Sequence, residues 1–239
     1  MFKKIKYWKE SLLGSLFCIS TLFLSAQDLD WRNVLQEGAL EGRVSEVNAE
    51  DGYARLPLKL KDQVRKPVWD LGQNAAGIYV EFKTPAKSFT VRYKVSGSLN
   101  MPHMPTTGVS GLDLYAKDSK SDTWNWMHGK YSFKDTISYV YEDFGSNPDF
   151  IYRLYLPLYN SVQWMEIGTE KGEQIEFIHQ KTKPIIIYGT SIAQGACASR
   201  PGLGWTNWMG RNFTQEVINL AFSGNGRLEQ PILDLINKE

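Results

Sequence analysis

The hydrophobic pattern of residues 77–178 is that of β-strands. In the stretch "SFTVRYKVSG", the apolar residues Phe89, Val91, Tyr93 and Val95 alternate with polar residues, as expected for a strand with one buried face. Similar short segments recur, separated by glycine, proline, serine and asparagine: "GIYVEFKT", "GLDLYAKD", "TWNWMHGK", "RLYLPLY" and "QWMEIGTE". We predict that this half of the chain folds as a β-sandwich.

The pattern changes after Lys183. "PIIIYG" is a short continuous apolar run, typical of a strand covered on both faces, and "EVINLAFSGNG" repeats it. Each run is followed by a stretch with apolar residues at helical spacing, "GWTNWMGRNF" and "LEQPILDLINKE". The order strand, helix, strand, helix predicts the start of a parallel α/β sheet. Its functional site is expected beyond the carboxyl ends of the strands.

Two polar turns follow these two predicted strands. Residues 189–191 (Gly-Thr-Ser) come after the first strand, and residues 223–226 (Ser-Gly-Asn-Gly) come after the second. The Ser191 hydroxyl would be exposed at a strand-to-helix turn, near backbone N–H groups and a helix amino end that favour negative charge. Ser191 is therefore a candidate nucleophile. The alternative, which the local pattern leaves open, is that Ser191 only caps the following helix.

The first residues have the pattern of an export signal. Lys3, Lys4, Lys6 and Lys9 precede the apolar stretch "SLLGSLFCISTLFLS", which is followed at once by "AQDLDW". This pattern predicts a secretory signal peptide over residues 1–26 and a secreted or periplasmic protein. About 15 apolar residues are few for a membrane span, which needs roughly 20. We therefore expect no integral membrane span after signal cleavage.

The charge balance and the cysteine content limit the possible partners and the possible disulfides of the protein. The chain has 27 lysine and arginine residues against 26 aspartate and glutamate residues, and this balance argues against a nucleic-acid partner. After signal cleavage Cys197 is the only cysteine, so no disulfide can form within the mature chain. No activating group adjoins Cys197 in sequence, and we expect it to be a small buried structural thiol.

The aromatic residues of the strand-rich half have two interpretations. Exposed rings could stack on sugars, whereas buried rings would fill a core that has few long aliphatic residues. We favour the core interpretation for most of the four tryptophans in question, which are Trp69, Trp124, Trp126 and Trp164. Asp113 in "GLDLY" lies between leucines, and we expect it to face the other side of its strand.

Two motifs carry a resemblance to a known family. "YGTSIAQG" resembles the first block of the SGNH (GDSL-like) serine hydrolases, and "NLAFSGNG" resembles their second block. The strings "GTSIAQGACASRPG" and "GLDLY" together resemble a secreted bacterial subgroup that joins an N-terminal β-sandwich to an SGNH domain. By this resemblance Ser191 is the nucleophile, and the backbone N–H groups of Ser191 and Gly224 are oxyanion donors.

The resemblance also implies a multidomain fold of the β plus α/β class. Residues 27–183 would form the β-sandwich. Residues 184–239 would form the first β-α-β-α portion of a flavodoxin-like parallel-sheet hydrolase domain. Two parallel strands would leave an apolar pairing edge bare. We therefore expect the C-terminal part of the catalytic domain to be missing from this chain.

The sequence departs from the family pattern at the site. Thr190 replaces the usual aspartate before the nucleophile, a change that the subgroup shares. The family's asparagine block and its late Asp-x-x-His block do not occur before Glu239. His103 and His128 fall in the predicted sandwich. His179 follows Glu176 at acid-x-x-His spacing, but residues three apart on a strand point to opposite faces, and we do not expect it to be the base.

These observations predict a serine esterase that forms an acyl-enzyme on Ser191 and acts on an acylated glycan or another small ester. No metal or organic cofactor is expected. Without acid and base, the chain as written is expected to be inactive or nearly so. Two alternatives remain open: a non-catalytic secreted glycan-binding sandwich with a vestigial hydrolase fragment, and a purely structural sandwich. The sequence leaves the oligomeric state open.

Overall fold

The computed structural model of the chain describes residues 28–118, 120–121, 123–142 and 149–239. The predicted signal peptide, residues 1–26, lies outside the described residues. Within the described ranges, no helix has the length and apolar character needed to cross a membrane.

The described residues form a fold that is rich in strands. The strands are β1 (Leu29–Asn33), β2 (Leu40–Glu41), β3 (Tyr79–Lys83), β4 (Phe89–Val95), β5 (Asp113–Asp118), β6 (Asn125–Met127), β7 (Lys130–Ser132), β8 (Ile137–Tyr141), β9 (Phe150–Tyr155), β10 (Val162–Glu170), β11 (Glu176–Phe177), β12 (Ile185–Gly189) and β13 (Val217–Ala221).

The helices are short. The α-helices are α1 (Lys66–Gly72), α2 (Thr106–Val109), α3 (Ser191–Gln194), α4 (Trp205–Asn212) and α5 (Gln230–Ile236), and single 3₁₀ turns occupy Ala49–Asp51, Leu58–Leu60 and Pro201–Leu203. Three of these helices follow β12 or β13, as the change of period after Lys183 predicts.

Two antiparallel sheets contain strands β1 to β11. One has the order β1-β10-β4-β8-β7, and the other has the order β11-β3-β9-β5-β6, with β2 also paired to β3. The alternation that identifies β4 in the sequence is present, since Phe89, Val91 and Tyr93 are buried and the residues between them are half-exposed. The prediction of a strand-rich antiparallel fold is confirmed.

Both antiparallel sheets contribute side chains to one apolar cluster. Tyrosine and phenylalanine rings fill much of it: Tyr93, Tyr139, Tyr141 and Tyr152 with Phe82 and Phe89. The expectation that most of the four tryptophans fill a core is confirmed only in part, because Trp69 and Trp124 are partly buried and pack against two smaller clusters. Trp126 is 45% exposed, and Trp69, Trp124 and Trp164 are half-buried. A tryptophan side chain is so large that it is rarely buried completely.

β12 and β13 form a parallel pair with Ile185 opposite Val217 and Gly189 opposite Ala221. β13 is buried along its whole length, as predicted for a strand covered on both faces. β12 is only half-buried at every position, so the same prediction is wrong for "PIIIYG". Within the described residues β12 pairs with β13 alone, and one edge of β12 is therefore not covered by a strand.

One face of the parallel pair is covered by residues from the first third of the chain. The segment between β2 and β3 contributes Leu56, Leu60 and Val68 to a second apolar cluster. That cluster also contains Leu220 of β13 and Ile232 of α5. The α/β portion is thus packed by a segment that the sequence pattern assigns to the sandwich.

Candidate active site

The two polar turns predicted to share a crevice meet at the carboxyl end of the parallel pair. Because Gly189 and Ala221 are register partners, β12 and β13 end at the same edge. The Phe222 N–H donates to the Gly189 carbonyl at 3.0 Å. A Cβ at Gly226 would lie 2.3 Å from that same carbonyl oxygen, and only glycine permits this approach. The turn after β13 is therefore fixed against the turn after β12.

Ser191 begins α3 directly after β12. Thr190 is the N-cap residue, with φ −116° and ψ −147°, and the cap position has no side-chain hydrogen bond. Ser191 therefore does not cap this helix, which removes the alternative that the sequence left open. The Ser191 residue is half-buried at the strand-to-helix turn. Its role as nucleophile stays a prediction.

Gly224 lies at the exposed tip of the second turn. Its φ of +69° is in the left-handed region that favours glycine. The Asn225 N–H donates to the Phe222 carbonyl at 2.8 Å, which closes a tight turn around Gly224. The structure thus brings the Ser191 and Gly224 segments to one edge of the sheet. The oxyanion role of Gly224 also stays a prediction.

Gln194 is a site residue that the sequence analysis missed. It is fully buried, and its Oε1 accepts the Ser223 N–H at 2.8 Å. Its Nε2 donates to Asn74 Oδ1 at 3.3 Å and to the Leu158 carbonyl at 3.4 Å. One amide therefore connects α3 to the Gly224 turn and to the strand-rich half. The partners are far apart in sequence, and no local pattern marks them.

Tyr159 is a second residue that the sequence analysis missed. It follows β9, and its hydroxyl donates to the Ser191 carbonyl at 3.2 Å. Burial raises the pKa of Tyr159, while a hydrogen bond with Ser223 acts in the opposite direction. The Tyr159 hydroxyl thus stays protonated near neutral pH, and it connects the strand-rich half to both turns of the site.

Arg55 stabilises the end of β13 by donating hydrogen bonds to its backbone carbonyls. It is buried, and its guanidinium donates to four backbone carbonyls, those of Leu71, Asn74, Asn219 and Ala221, at 2.6 to 3.0 Å. Burial lowers the pKa of Arg55 to about 9, so it remains cationic at neutral pH. It ties the end of α1 to the strand that leads into the Gly224 turn.

Asp113 of the "GLDLY" stretch lies on the side of β5 opposite its flanking leucines, as expected, and it is buried there. Its carboxylate accepts hydrogen bonds from Trp126 Nε1 at 2.8 Å, the Gly202 N–H at 3.0 Å and Arg200 Nε at 3.2 Å. Desolvation raises its pKa, and Arg200 opposes this. Both faces of β5 are covered because the 3₁₀ turn Pro201–Leu203 packs on its outer side. Asp113 thus anchors the connection between α3 and α4.

All three histidines lie among the residues that the structure describes, and there none is hydrogen-bonded to Ser191. His179 Nδ1 is 2.9 Å from Glu41 Oε1, on the strand-rich half. His128 is exposed and lies beside the Trp126 ring. His103 is exposed in a short turn.

Cys197 is exposed with φ +64°, so the expectation of a buried structural thiol is wrong. Cys197 has a left-handed backbone conformation in the turn that follows α3, and its side chain is exposed there. Among the described residues, no group of three or more histidine, cysteine, aspartate or glutamate side chains could hold a metal ion.

Comparison with known proteins identifies the family to which the chain belongs. The model of the GDSL-like lipase/acylhydrolase family matches residues 182–239. A model described as the N-terminus of esterases of the SGNH hydrolase type (GxDLY) matches residues 29–175. The chain therefore belongs to the SGNH hydrolase-type esterases that carry a GxDLY N-terminal region.

Solved structures with this fold include two relevant neighbours. One is described as a GDSL-like lipase from Bacteroides ovatus, with 27% identity and a TM-score of 0.77, covering 87% of this chain and 61% of that chain. The other is a salicylyl-acyltransferase from a tetracycline biosynthetic pathway, with 20% identity and a TM-score of 0.60, covering 83% of this chain and 55% of that one. The chain thus spans less than two thirds of each. No curated protein sequence matches it.

Proposed function

We propose that this chain carries the nucleophile portion of a serine esterase, with Ser191 as the attacking residue. The observation that supports it most is the position of Ser191 at the start of α3, next to a Gly224 turn that is bonded to the end of β12. A hydroxyl at this edge has helix and turn N–H groups beside it, which favour the negative charge of an acyl-transfer transition state.

The proposed reaction is acyl transfer in two steps. A base takes the Ser191 hydroxyl proton, and the oxygen attacks the ester carbonyl. The N–H groups of Ser191 and Gly224 then stabilise the tetrahedral oxyanion until the alcohol leaves with a proton. Water attacks the acyl-enzyme and releases the acid. Because no histidine in the described part of the chain is hydrogen-bonded to Ser191, we propose that this chain by itself turns over esters slowly or not at all.

The finer fold assignment belongs to the same proposal. We assign residues 27–183 to a β-sandwich domain and residues 184–239 to the first part of a flavodoxin-like hydrolase domain. The shared core of the two antiparallel sheets and the parallel pair β12-β13 support this division. Residues 44–72 are the exception, because they pack across the boundary.

We propose an acylated glycan, or another small ester, as the substrate of the whole protein, which would act after export from the cytoplasm. The signal-like residues 1–26 and the exposed tryptophans of the described surface support this choice. The competing proposal is a non-catalytic glycan-binding protein, and the same exposed tryptophans favour it. The two proposals differ in whether Ser191 reacts.

The decisive experiment is acylation of the full chain with an activated acetyl ester, followed by peptide mapping and a turnover assay. We expect the acetyl group on Ser191 and turnover lower than that of a complete triad enzyme by roughly 10⁴-fold. Ser191→Ala removes the acylation. Ser199→Ala, in the exposed connection after α3, is the matched control and retains it.

Each other outcome has a defined meaning. Acylation that persists in Ser191→Ala contradicts the assignment of the nucleophile. Rapid turnover that disappears in Ser191→Ala supports the nucleophile and overturns the proposed inactivity of this chain. A chain that is never acylated on Ser191 but binds glycans supports the non-catalytic alternative.

A further inference from the structure

A groove with aromatic and cationic walls runs between the outer side of β5 and β6 and helix α4. It consists of two cavities of about 450 Å³ and about 560 Å³. Both are lined by Trp124, Arg211 and Asn212, so they adjoin along these three residues. Cavities of this size are typical of small-ligand sites. None of these residues belongs to the Ser191 and Gly224 turns.

The aromatic walls of the groove remain open to solvent. Trp126 of β6 is 45% exposed and Trp208 of α4 is 55% exposed, and both line the smaller cavity. Arg200 lies 4.2 Å from the Trp126 ring centroid and His128 lies beside the same ring, but both indoles still expose apolar surface to the concave groove. The C–H faces of a sugar ring are flat and apolar and match an indole face, while its hydroxyls need polar partners such as Asn212.

The groove also has an excess of positive charge. Arg153 is paired with Glu81 at 2.7 Å, and Arg200 is paired with Asp113 at 3.2 Å. The groove residues Lys117 and Arg211 have no carboxylate within salt-bridge distance among the described residues. Lys117 Nζ lies 5.0 Å from the Trp124 ring centroid, and Arg211 stacks on Tyr115 at 3.7 Å. Within the described ranges, these two cations therefore have no carboxylate partner, although Arg211 is largely buried and already donates to the Asn207 and Gly202 carbonyls.

We propose that this groove binds an acidic oligosaccharide, with sugar rings on Trp126 and Trp208 and a sugar carboxylate near Lys117 and Arg211. Guanidinium and ammonium groups next to aromatic faces suit carboxylates. A nucleic-acid strand fits less well, because the chain has a net charge of only +1 and two of the groove cations are already neutralised. The choice of a glycan as ligand rests on the proposed function. Binding in the groove itself does not require Ser191 to react.

The test is titration calorimetry of the full chain with oligogalacturonate and with a neutral xylo-oligosaccharide of equal length. We expect tighter binding of the acidic probe. Trp208→Ala should raise its Kd about tenfold or more. The matched control is Trp205→Ala, because Trp205 is also on α4 and 42% exposed but lines neither cavity. It should change the Kd by less than about twofold. Lys117→Gln should weaken binding of the acidic probe and leave the neutral one unchanged.

Several results would overturn the proposal: no binding of oligogalacturonate, equal weakening by Trp208→Ala and Trp205→Ala, or tighter binding of oligothymidylate than of oligogalacturonate. If Trp208→Ala does not fold, the effect of Lys117→Gln on the Kd values of the acidic and neutral probes decides whether the proposal stands. Acylation of Ser191 is measured separately on the same samples. If the chain does not bind oligogalacturonate but is acylated on Ser191, only the groove proposal is overturned. If the chain binds oligogalacturonate but is not acylated on Ser191, only the assignment of the nucleophile is overturned.

Discussion

Glu216 is a partly buried carboxyl whose pKa is raised toward neutrality. It directly precedes β13, and its Oε1 accepts the Gly42 N–H at 2.6 Å. Burial raises the pKa of Glu216 to about 7, and the nearby Glu41 and Glu239 act in the same direction. The Gly42 hydrogen bond and Arg153 act in the opposite direction. At neutral pH the folded protein therefore holds this carboxyl close to its titration midpoint.

The pH dependence of stability follows from this shift. The folded pKa lies above the ordinary value of 4.5, so folding favours the protonated form. The resulting stability is fully present below about pH 4.5 and is lost as pH rises through about 7. Glu216→Gln keeps an acceptor for Gly42 and removes the titration. At about pH 8 we expect it to be about 1–3 kcal/mol more stable than the parent chain, with little difference at about pH 5.

Urea unfolding at a series of pH values measures this effect. Glu176→Gln is the control, because Glu176 is exposed on β11 and its replacement should not change the slope. An identical pH slope in the parent chain and in Glu216→Gln would show that Glu216 does not titrate in this range.

At the scale of elements, the segment between β2 and β3 determines whether the α/β portion has a core. Leu56 is fully buried against this portion, whereas Leu58, two residues later, is 57% exposed. We expect Leu56→Ala to lower the free energy of unfolding by about 2–5 kcal/mol. Leu58→Ala should change it by less than about 0.5 kcal/mol.

Amide hydrogen exchange identifies which part of the structure is destabilised in Leu56→Ala. Leu56→Ala should reduce protection of the β13 amides, which are more than 150 residues away in sequence, because the apolar cover of β13 is loosened. Unchanged protection of β13 in Leu56→Ala would contradict the packing described here.

The elements that sequence patterns predict well are those defined by local periodicity. β4 and β13 have the alternation and the continuous apolar run that identify them, and the position of Ser191 after a strand follows from the same local pattern. The cover of β13 by Leu56 could not be predicted, because it depends on a contact between distant segments. The same limit applies to Gln194, whose partners come from three different parts of the chain.

Burial of individual side chains was the least predictable property. Cys197 was expected to be buried and is exposed, and Trp126 is 45% exposed although most of the four tryptophans were expected in a core. Asp113 faces the outer side of its strand as expected, but its burial there was not predicted. In each case the outcome is set by what packs on the outer face of a strand or turn. β5 alone does not reveal that the Pro201–Leu203 turn will cover Asp113.

At the scale of the whole molecule, the two family segments are joined by contacts that neither could make alone. Arg55 donates to carbonyls of both β13 and the end of α1. At Gly77 a Cβ would lie 2.5 Å from the Asn219 Cβ, so the backbones of the two halves meet at van der Waals distance. A boundary at residue 183 in the sequence therefore does not separate two independent cores.

This joining predicts how the molecule behaves when it is cut. Residues 184–239 alone would expose the apolar face of β13 that Leu56, Leu60 and Val68 cover, and a two-stranded parallel pair has too little other burial to offset its conformational entropy. We expect the isolated fragment to be unfolded by circular dichroism and by amide exchange. Adding residues 44–72 as a separate peptide should restore part of the β13 protection. A cooperative thermal transition in the isolated fragment would show that its core does not depend on the rest of the chain.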